Sequence, residues 1–256
     1  MSRRVLVVDD DPVNRLVAIA QVQALGYSAD GADSGETALA ALAREPYDAV
    51  LLDCEMPRLD GYETCRRLRR QEGDNRRHTR VIALTAHAEA GDRERCLAAG
   101  MDDHLCKPVR GEELAAVLER RPQDGAPLQP PPEAAPDLIE ERLEALARLG
   151  ETTGENVLAQ VVASYLQQGA RDLAILRESL ARGDGAAFAA AAHSLAGSSG
   201  ILGASGLAVS CARLEELARR GDLAACGPRL DAVEQSFRQV SGKIRQHFVE
   251  ATHNNC

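Results

Sequence analysis

Polar side chains of three chemical types stand at the ends of predicted strands in the first half of the sequence. Asp9 and Asp10 follow one apolar run, and Asp53 follows another. Thr85 closes a further run, and Lys107 comes directly after the last one. Parallel strands present their carboxyl ends at one edge of an open α/β sheet, where working sites lie. We therefore expect these five side chains to meet at that edge.

This set of side chains suits phosphoryl chemistry with a metal ion. Three carboxylates at one point repel one another unless a cation is present, and hard oxygen ligands with room for water favour Mg²⁺. The metal, the Thr85 hydroxyl and the Lys107 ammonium would then receive the oxygens of a phosphoryl group beside Asp53. Lys107 is informative because only it and Lys243 are lysines among the 30 basic residues, and the others are arginines.

A single imidazole lies in an uncharged segment of the second half. Residues 185–212 contain no Asp, Glu, Lys or Arg, although average composition predicts about seven charged residues in such a length. His193 falls on a helical face of tiny residues, which lets another protein approach the ring closely. A histidine satisfied inside a helical core is the alternative, and a zinc site is disfavoured because no second ligand lies at helical spacing. The predicted docking face comprises Ala189, Ala190, Ala196, Gly197 and Gly200.

Strand and helix patterns alternate five times between residues 4 and 120. Apolar runs rich in β-branched residues predict the strands, and the segments between them have helical character with short connections. This alternation predicts an α/β fold with a doubly wound, five-stranded parallel (βα)5 sheet. The predicted strands are 4–8, 27–31, 49–53, 80–85 and 104–106, and the predicted helices are 12–25, 34–44, 61–72, 91–99 and 111–120.

The second half is predicted to be all-α. Six of the eleven prolines lie within residues 122–136, so we expect a semi-extended tether over 122–137. From residue 138 on, apolar residues recur at spacings of three and four, which predicts an antiparallel bundle of the four-helix type. We expect domains at 1–121 and 138–250, a tail at 251–256, and helices over 138–148, after Gly154, on both sides of Gly203 and from residue 222.

Composition places the chain among ordinary globular proteins. Its net charge of −9 comes without a basic run or stripe, which argues against a nucleic-acid partner. No sequence window is apolar enough for a membrane span, and the N-terminus lacks a signal-peptide pattern. The seven cysteines are odd in number and include no Cys-x-x-Cys pair. We therefore expect a cytoplasmic protein without a disulfide framework or a zinc site.

Five short motifs surround the strand ends of the first half: Val7-Val8-Asp9-Asp10, Leu51-Leu52-Asp53-x-x-Met56-Pro57, Asp60-Gly61, Ala83-Leu84-Thr85-Ala86 and Lys107-Pro108. Through them, residues 3–121 resemble the receiver domains of bacterial two-component signalling. The resemblance implies that Asp53 accepts a phosphoryl group as an acyl phosphate. It also implies a Mg²⁺ site made of the Asp10 and Asp53 carboxylates and the Glu55 carbonyl, which Asp9 reaches through water.

The same resemblance assigns a switch pair and two tuning positions. Thr85 and the family's aromatic position, here His104, would form the switch that responds to phosphorylation. A histidine keeps a planar ring that can swing towards Thr85. Glu55 and His87, which stand two residues beyond Asp53 and Thr85, would flank the phosphoryl group and tune its hydrolysis.

A second group of motifs surrounds the imidazole: His193-Ser194-Leu195-Ala196-Gly197-Ser198-Ser199, then Gly203, Leu207, Cys211 and Leu214-Glu215. Residues 138–250 thereby resemble a histidine-containing phosphotransfer (HPt) domain. The resemblance implies that His193 carries a phosphoryl group, for which imidazole is suited as a nucleophile that titrates near neutrality. Where the family usually has lysine, three residues after the histidine, this chain has Ala196. The change implies neutral drift of the sequence, slower transfer of the phosphoryl group, or reliance on a lysine of the partner protein.

These features together predict a bacterial phosphorelay protein that depends on Mg²⁺. A sensor histidine kinase would phosphorylate Asp53, and His193 would pass the group to or from the aspartate of another receiver. Two alternatives stay open: a phosphate sink for a downstream regulator, and a docking module whose phosphorylation controls binding while His193 is inert. No Gly-rich ATP-binding region is visible, so we expect no kinase activity. The organisation resembles the C-terminal part of hybrid sensor kinases, and we expect a free-standing protein or a piece of such a kinase.

Overall fold

The computed structural model describes residues 3–73, 78–85, 90–119, 138–154 and 156–253. The chain divides into two compact units, Met1–Pro132 and Glu133–Cys256. The predicted tether at 122–137 and the position of His87 lie outside the described residues. The predicted domain bounds therefore stay predictions.

The first unit is built on one parallel sheet with the strand order β2-β1-β3-β4-β5. The predicted five-stranded, doubly wound α/β fold is confirmed. The second strand lies one residue later than predicted, and the fifth begins one residue earlier. The strands are β1 Arg4–Val8, β2 Ser28–Ala32, β3 Ala49–Asp53, β4 Arg80–Thr85 and β5 Asp103–Cys106, and the helices are α1 Pro12–Ala24, α2 Gly35–Arg44, α3 Gly61–Glu72, α4 Ala90–Ala98 and α5 Gly111–Glu119.

Alternate residues of the central strands enter two separate cores. Leu6 and Val8 of β1 belong to the core on one face of the sheet, whereas Val5 and Val7 belong to the core on the other face. Helix α3 contributes to the first core and helix α5 to the second. A strand buried on both faces is apolar throughout, so its polar neighbours stand at the strand ends.

Arg69 of α3 links three chain segments at the amino-terminal end of the sheet. Its guanidinium donates to the Gly100 carbonyl at 2.8 Å and to the carboxylates of Glu72 and Asp102 at 2.6 and 2.9 Å. The Asp102 carboxylate also accepts the N–H of Val81 at 2.8 Å. This network joins the end of α3, the start of β4 and the turn before β5.

The second unit consists of helices joined by short turns, and the predicted helical bundle is confirmed. The predicted first helix, 138–148, is too short, because the helix continues to a left-handed residue at Gly154. The last helix begins five residues later than predicted, because Pro228 lacks an N–H donor and suits a helix start, not an interior; this helix runs on into the predicted tail. The elements are α6 Ile139–Thr153, α7 Val157–Arg182, α8 Gly185–Ile201, α9 Ser205–Arg219, a 3-10 turn Leu223–Ala225 and α10 Gly227–His253.

Leu173, Leu176 and Leu180 recur along α7 at spacings of three and four, which predicts that all three lie on its buried stripe. Leu176 is buried, but Leu173 and Leu180 are only partly buried. Their places are taken by Asp172 and Ser179, which are buried. The stripe repeats every three or four residues, so either of two neighbouring positions can continue it. In α7 the polar residue directly before each of these two leucines takes the buried position. Throughout the described residues, no helix combines the length and the apolar character needed to cross a membrane.

Gly169 of α7 gives room to a ring in the bundle core, and we expect Gly169→Ala to destabilise the second unit. A Cβ atom at residue 169 would lie 2.3 Å from Phe237 Cε2. The Phe237 ring would then have to move against Tyr165, whose ring centroid is 5.5 Å away. Overpacking of this kind costs about 1–3 kcal/mol, measured as a lower urea midpoint by circular dichroism.

Gly242→Ala on α10 is the matched control for this substitution. A Cβ atom at residue 242 meets nothing within 4 Å, so alanine there should stabilise the exposed helix by about 1 kcal/mol. The two variants should shift the unfolding midpoint in opposite directions. A rise in both midpoints would contradict the packing argument.

Candidate functional site

Lys107 bridges two buried carboxylates at the carboxyl ends of β1 and β3. Its Nζ atom lies 2.7 Å from Asp9 Oδ2 and 2.8 Å from Asp53 Oδ2. Carboxylate oxygens of Asp9, Asp10 and Asp53 all lie within 4.8 Å of one another. The structure therefore brings four of the predicted site residues together at one edge of the sheet.

The turn from β1 into α1 holds the first carboxylates in place. Asp11 caps the helix, since its Oδ1 accepts the N–H groups of Val13 and Asn14 at 2.7 and 3.0 Å. The N–H of Asp11 donates to Asp9 Oδ1 at 3.0 Å. One turn into α1, the Arg15 guanidinium donates to the Asp9 carbonyl. Arg15 is a supporting residue that the sequence does not predict, because nothing in the sequence distinguishes it from the many other arginines.

Asp53 is held by the loop that follows β3. Its Oδ1 accepts the N–H of Glu55 at 3.1 Å, and the N–H of Gly61 donates to the Cys54 carbonyl at 3.1 Å. Helix α3 begins so close to the strand that a Cβ atom at residue 61 would lie 2.2 Å from the backbone oxygen of Asp53. This close approach requires glycine, and it places the start of α3 against the peptide of Asp53.

Burial and the bridging cation together set the charge balance of the site. Asp53 is 3% exposed, and its burial raises the pKa of the carboxyl, while the Lys107 ammonium opposes this rise and the Asp9 charge adds to it. Burial alone would lower the pKa of Lys107, but the Asp9 and Asp53 carboxylates raise it above the ordinary value. Lys107 is therefore a fixed cation between two carboxylates.

The predicted switch residues lie on the two neighbouring strands. Thr85 is the last residue of β4 and is buried, with its Oγ1 atom 4.0 Å from Cys106 Sγ. It directly follows the residue that pairs with Asp53 in the sheet. His104 lies on β5, is half-buried and pairs with Ala83. Thr85 thus lies on the strand next to that of Asp53, whereas His104 lies one strand farther along the sheet, and the switching role stays a prediction.

His193 of α8 faces a buried carboxylate on α9. Its Nδ1 atom lies 3.1 and 3.3 Å from the two oxygens of Glu215. Oε1 of Glu215 also accepts from the Arg219 guanidinium at 2.7 Å. An imidazole whose Nδ1–H donates to a carboxylate keeps its lone pair on Nε2. The carboxylate thereby orients the ring and leaves Nε2 as the nucleophilic nitrogen.

The predicted site did not include Glu215 and Arg219, although part of the signal was present. Helix α9 buries Leu207, Cys211 and Leu214, and Glu215 lies on the same buried side. A charged residue on a buried stripe indicates a specific partner, because an unpaired buried charge is costly. Arg219 follows Glu215 by four residues, which is the spacing of an ion pair along a helix.

The predicted docking face is only partly accessible. Ala190 is exposed, and Ala196, Gly197 and Gly200 are partly exposed. The prediction is wrong for Ala189, which is buried with only 8% of its surface exposed. It lies three residues before the fully buried Ala192, and residues at that spacing share one face of a helix.

Comparison with protein families matches the two units separately. Residues 5–119 match the family described as response regulator receiver domain. Residues 160–243 match the family described as Hpt domain.

Two named relatives match along almost the whole chain. The virulence sensor protein BvgS of Bordetella bronchiseptica is 31% identical over 253 residues, with 95% of this chain and 20% of BvgS covered. The sensor histidine kinase GacS of Pseudomonas protegens is 31% identical over 253 residues, with 94% of this chain and 27% of GacS covered. The chain thus spans 20% to 27% of the length of these relatives.

Among solved structures, one similar chain is the receiver domain of the sensor histidine kinase PA1611 from Pseudomonas aeruginosa, with a magnesium ion coordinated in its active-site cleft. It is 43% identical, covers 46% of this chain and 96% of its own, and has a TM-score of 0.43.

Proposed function

Residues 5–119 of this chain belong to the response regulator receiver family and residues 160–243 to the Hpt family, and on this premise we propose that it is a phosphorelay protein. Asp53 takes a phosphoryl group from a sensor histidine kinase, and His193 passes it to or from the aspartate of another receiver. One observation carries the proposal: each acceptor has a charged partner in hydrogen-bond contact, Lys107 for Asp53 and Glu215 for His193.

Phosphorylation of Asp53 requires that the charge on the transferring group be spread. The group moves in line from the donor to a carboxylate oxygen of Asp53, so that one P–O bond forms there as the bond to the donor breaks. Lys107 stays protonated and balances the negative charge on the phosphoryl oxygens. The Thr85 hydroxyl, at the end of the next strand, would donate to a further phosphoryl oxygen.

The residues at the carboxyl ends of β1 and β3 fit a Mg²⁺ ion. Their clustered carboxylates form the hard, all-oxygen donor set that Mg²⁺ prefers. Asp10, Asp53 and the Glu55 carbonyl would bind the ion, with Asp9 reaching it through water. Bound there, Mg²⁺ would neutralise charge between the carboxylates and the phosphoryl oxygens.

Transfer at His193 exchanges one bond to phosphorus for another. Nε2 attacks the phosphorus of an acyl phosphate, so that a P–N bond forms as the P–O bond to the aspartate breaks. The ring keeps its proton on Nδ1 and becomes cationic, and the Glu215 carboxylate that contacts Nδ1 stabilises this charge. Arg219 offsets the charge of Glu215, which reduces its repulsion of the incoming phosphoryl group.

Both matched families are signalling modules, and we infer a relay intermediate with no kinase activity of its own. Its partners are a sensor histidine kinase and the receiver domain of a response regulator. Its cysteine usage and its negative net charge favour a cytoplasmic location without a nucleic-acid or membrane partner.

Radioactive phosphate on the full chain tests the relay. We expect a γ-labelled generic histidine kinase with Mg²⁺ to label both acceptors of the wild type. Stability to acid and to alkali separates phosphohistidine from acyl phosphate. Asp53→Asn should lose the label from both acceptors, because the group enters at Asp53, whereas His193→Gln should keep label on Asp53 alone.

Two other outcomes would identify the alternative functions. Label on Asp53 that never reaches His193, even with added partner receivers, would identify a docking module with an inert histidine. Ala196, in place of the lysine that the family usually has, favours this alternative. Rapid hydrolysis of the Asp53 acyl phosphate, after His193 has been loaded from a downstream receiver, would identify a phosphate sink.

A further inference from the structure

Asp172 is a buried carboxylate in the middle of α7. It is 2% exposed and interrupts an otherwise largely apolar stripe. Its Oδ1 atom accepts from Gln168 Nε2 at 2.9 Å, and its Oδ2 atom accepts from the Ser194 hydroxyl of α8 at 2.9 Å. A buried carboxylate is tolerated only when hydrogen bonds replace its lost hydration.

Helix α8 has few large side chains with which to fix its own position. Between Gly185 and Ile201 it is built almost entirely of Ala, Gly and Ser, and Phe188 and Leu195 are its large fully buried side chains. Small side chains only weakly fix the rotation of a helix about its own axis. A surface of uniformly small residues can pack against its neighbours in several ways. Buried polar contacts are a known means of selecting one such arrangement.

Two such contacts hold α8 at consecutive residues, one to α7 and one to α9. Ser194 donates to Asp172 on α7, and the preceding His193 contacts Glu215 on α9. We propose that Asp172 is a positioning residue for phosphotransfer: through Ser194 it sets the rotation of α8 at which Nδ1 of His193 meets Glu215. The role in phosphotransfer rests on the proposed function, whereas the positioning of the ring does not.

A buried thiol on α9 is affected by the charges of both carboxylates. Burial raises the pKa of the Cys211 thiol to about 12, and the Asp172 and Glu215 charges contribute to the rise. Cys211 is on α9 and fully buried. The charges of Asp172 and Glu215 therefore both act on this buried thiol of α9.

A pair of identical substitutions on α8 tests the proposal in the full chain. Ser194→Ala removes the donor to Asp172. Ser198→Ala is the matched control, because Ser198 is buried one turn later and its hydroxyl donates to carbonyls of its own helix, those of Ser194 and Leu195. Asp172→Ala removes the acceptor, and Asp172→Asn keeps an oxygen that can accept from Ser194.

Two measurements are made on each variant. The nitrogen chemical shifts of the His193 ring, followed by NMR across pH, report which ring nitrogen carries the proton. The rate of phosphohistidine formation with phosphoramidate, scored by its stability to alkali, reports reactivity. Circular dichroism confirms that each variant is folded, and Glu215→Gln is the reference for a ring that has lost its carboxylate.

Ser194→Ala and Asp172→Ala should move the ring away from the Nδ1–H tautomer and slow phosphohistidine formation by on the order of ten-fold, as a slightly misplaced reacting group does. Ser198→Ala should match the wild type in both measurements, and Asp172→Asn should recover most of the rate. Ring shifts in Ser194→Ala that equal those of Ser198→Ala would overturn the proposal. A changed tautomer in a chain that phosphoramidate never labels would uphold the positioning of the ring and count against the proposed function.

Discussion

Replacing Lys107 with alanine is expected to slow phosphorylation of Asp53 by acetyl phosphate about 10²–10³-fold, the loss typical of removing one preorganised electrostatic group. Its ammonium contacts both Asp9 and Asp53, so the variant lacks the fixed cation that meets the charge of the transferring group. Asp53 would also lose the ammonium that opposes the rise of its pKa on burial, which favours a protonated and poorly nucleophilic carboxyl. The initial rate of acyl phosphate formation in saturating Mg²⁺ measures the effect.

Lys243→Ala is the matched control for this substitution, because Lys243 is the second of the two lysines and lies exposed on α10. Lys107→Arg keeps the charge but replaces a compact ammonium with a planar fork of different reach. We expect Lys107→Arg to recover only part of the rate. Equal rates in Lys107→Ala and Lys243→Ala would show that the bridging cation takes no part in the reaction.

Arg69→Ala is expected to lower the stability of the first unit by about 3–5 kcal/mol, which is the cost of removing one partner from a largely buried ion pair. The Arg69 side chain is 18% exposed, and its partners Glu72 and Asp102 are 11% and 14% exposed. Without the guanidinium, both carboxylates and the Gly100 carbonyl lose a donor that little water can replace. Urea unfolding of the full chain, followed by circular dichroism, should show an earlier transition for the first unit alone.

Arg67→Ala is the control on the same helix. Arg67 pairs with Glu63 at 3.1 Å, and its side chain is 50% exposed. Exposed pairs of this kind contribute little to stability, so the unfolding midpoint should hardly move. Arg69→Lys keeps the charge but lacks the planar set of guanidinium donors. Its unfolding midpoint should therefore lie between those of Arg69→Ala and Arg67→Ala. A midpoint in Arg69→Ala equal to that in Arg67→Ala would contradict the role of the network.

The site at the sheet edge was predictable because two general rules combine there. Alternating strand and helix patterns identify a parallel sheet, and parallel strands share one carboxyl edge. Asp9, Asp53 and Lys107 could therefore be placed together, although they are far apart in the sequence. His193 could be singled out because its helical segment carries no charge.

Contacts that depend on one particular face or turn were not predictable. Arg69 stands beside Arg66, Arg67 and Arg70, and only the folded position of its acceptors separates it from them. Periodicity likewise assigns charged residues to the solvent side of a helix. Asp172 and Glu215 depart from that rule because each has a partner on α8 that is 22 residues away in the sequence.

Both ends of the loop between β3 and α3 are held by contacts to the end of β3, which limits how the loop can vary in length. Residues 54–60 leave the strand and return to it, because the N–H of Gly61 donates to the Cys54 carbonyl. Surface loops commonly accept insertions, but an added residue here would pull either the Glu55 N–H from Asp53 or the start of α3 from the Asp53 peptide. The segment is a spacer of fixed length, and an inserted tag or grafted domain belongs elsewhere in the chain.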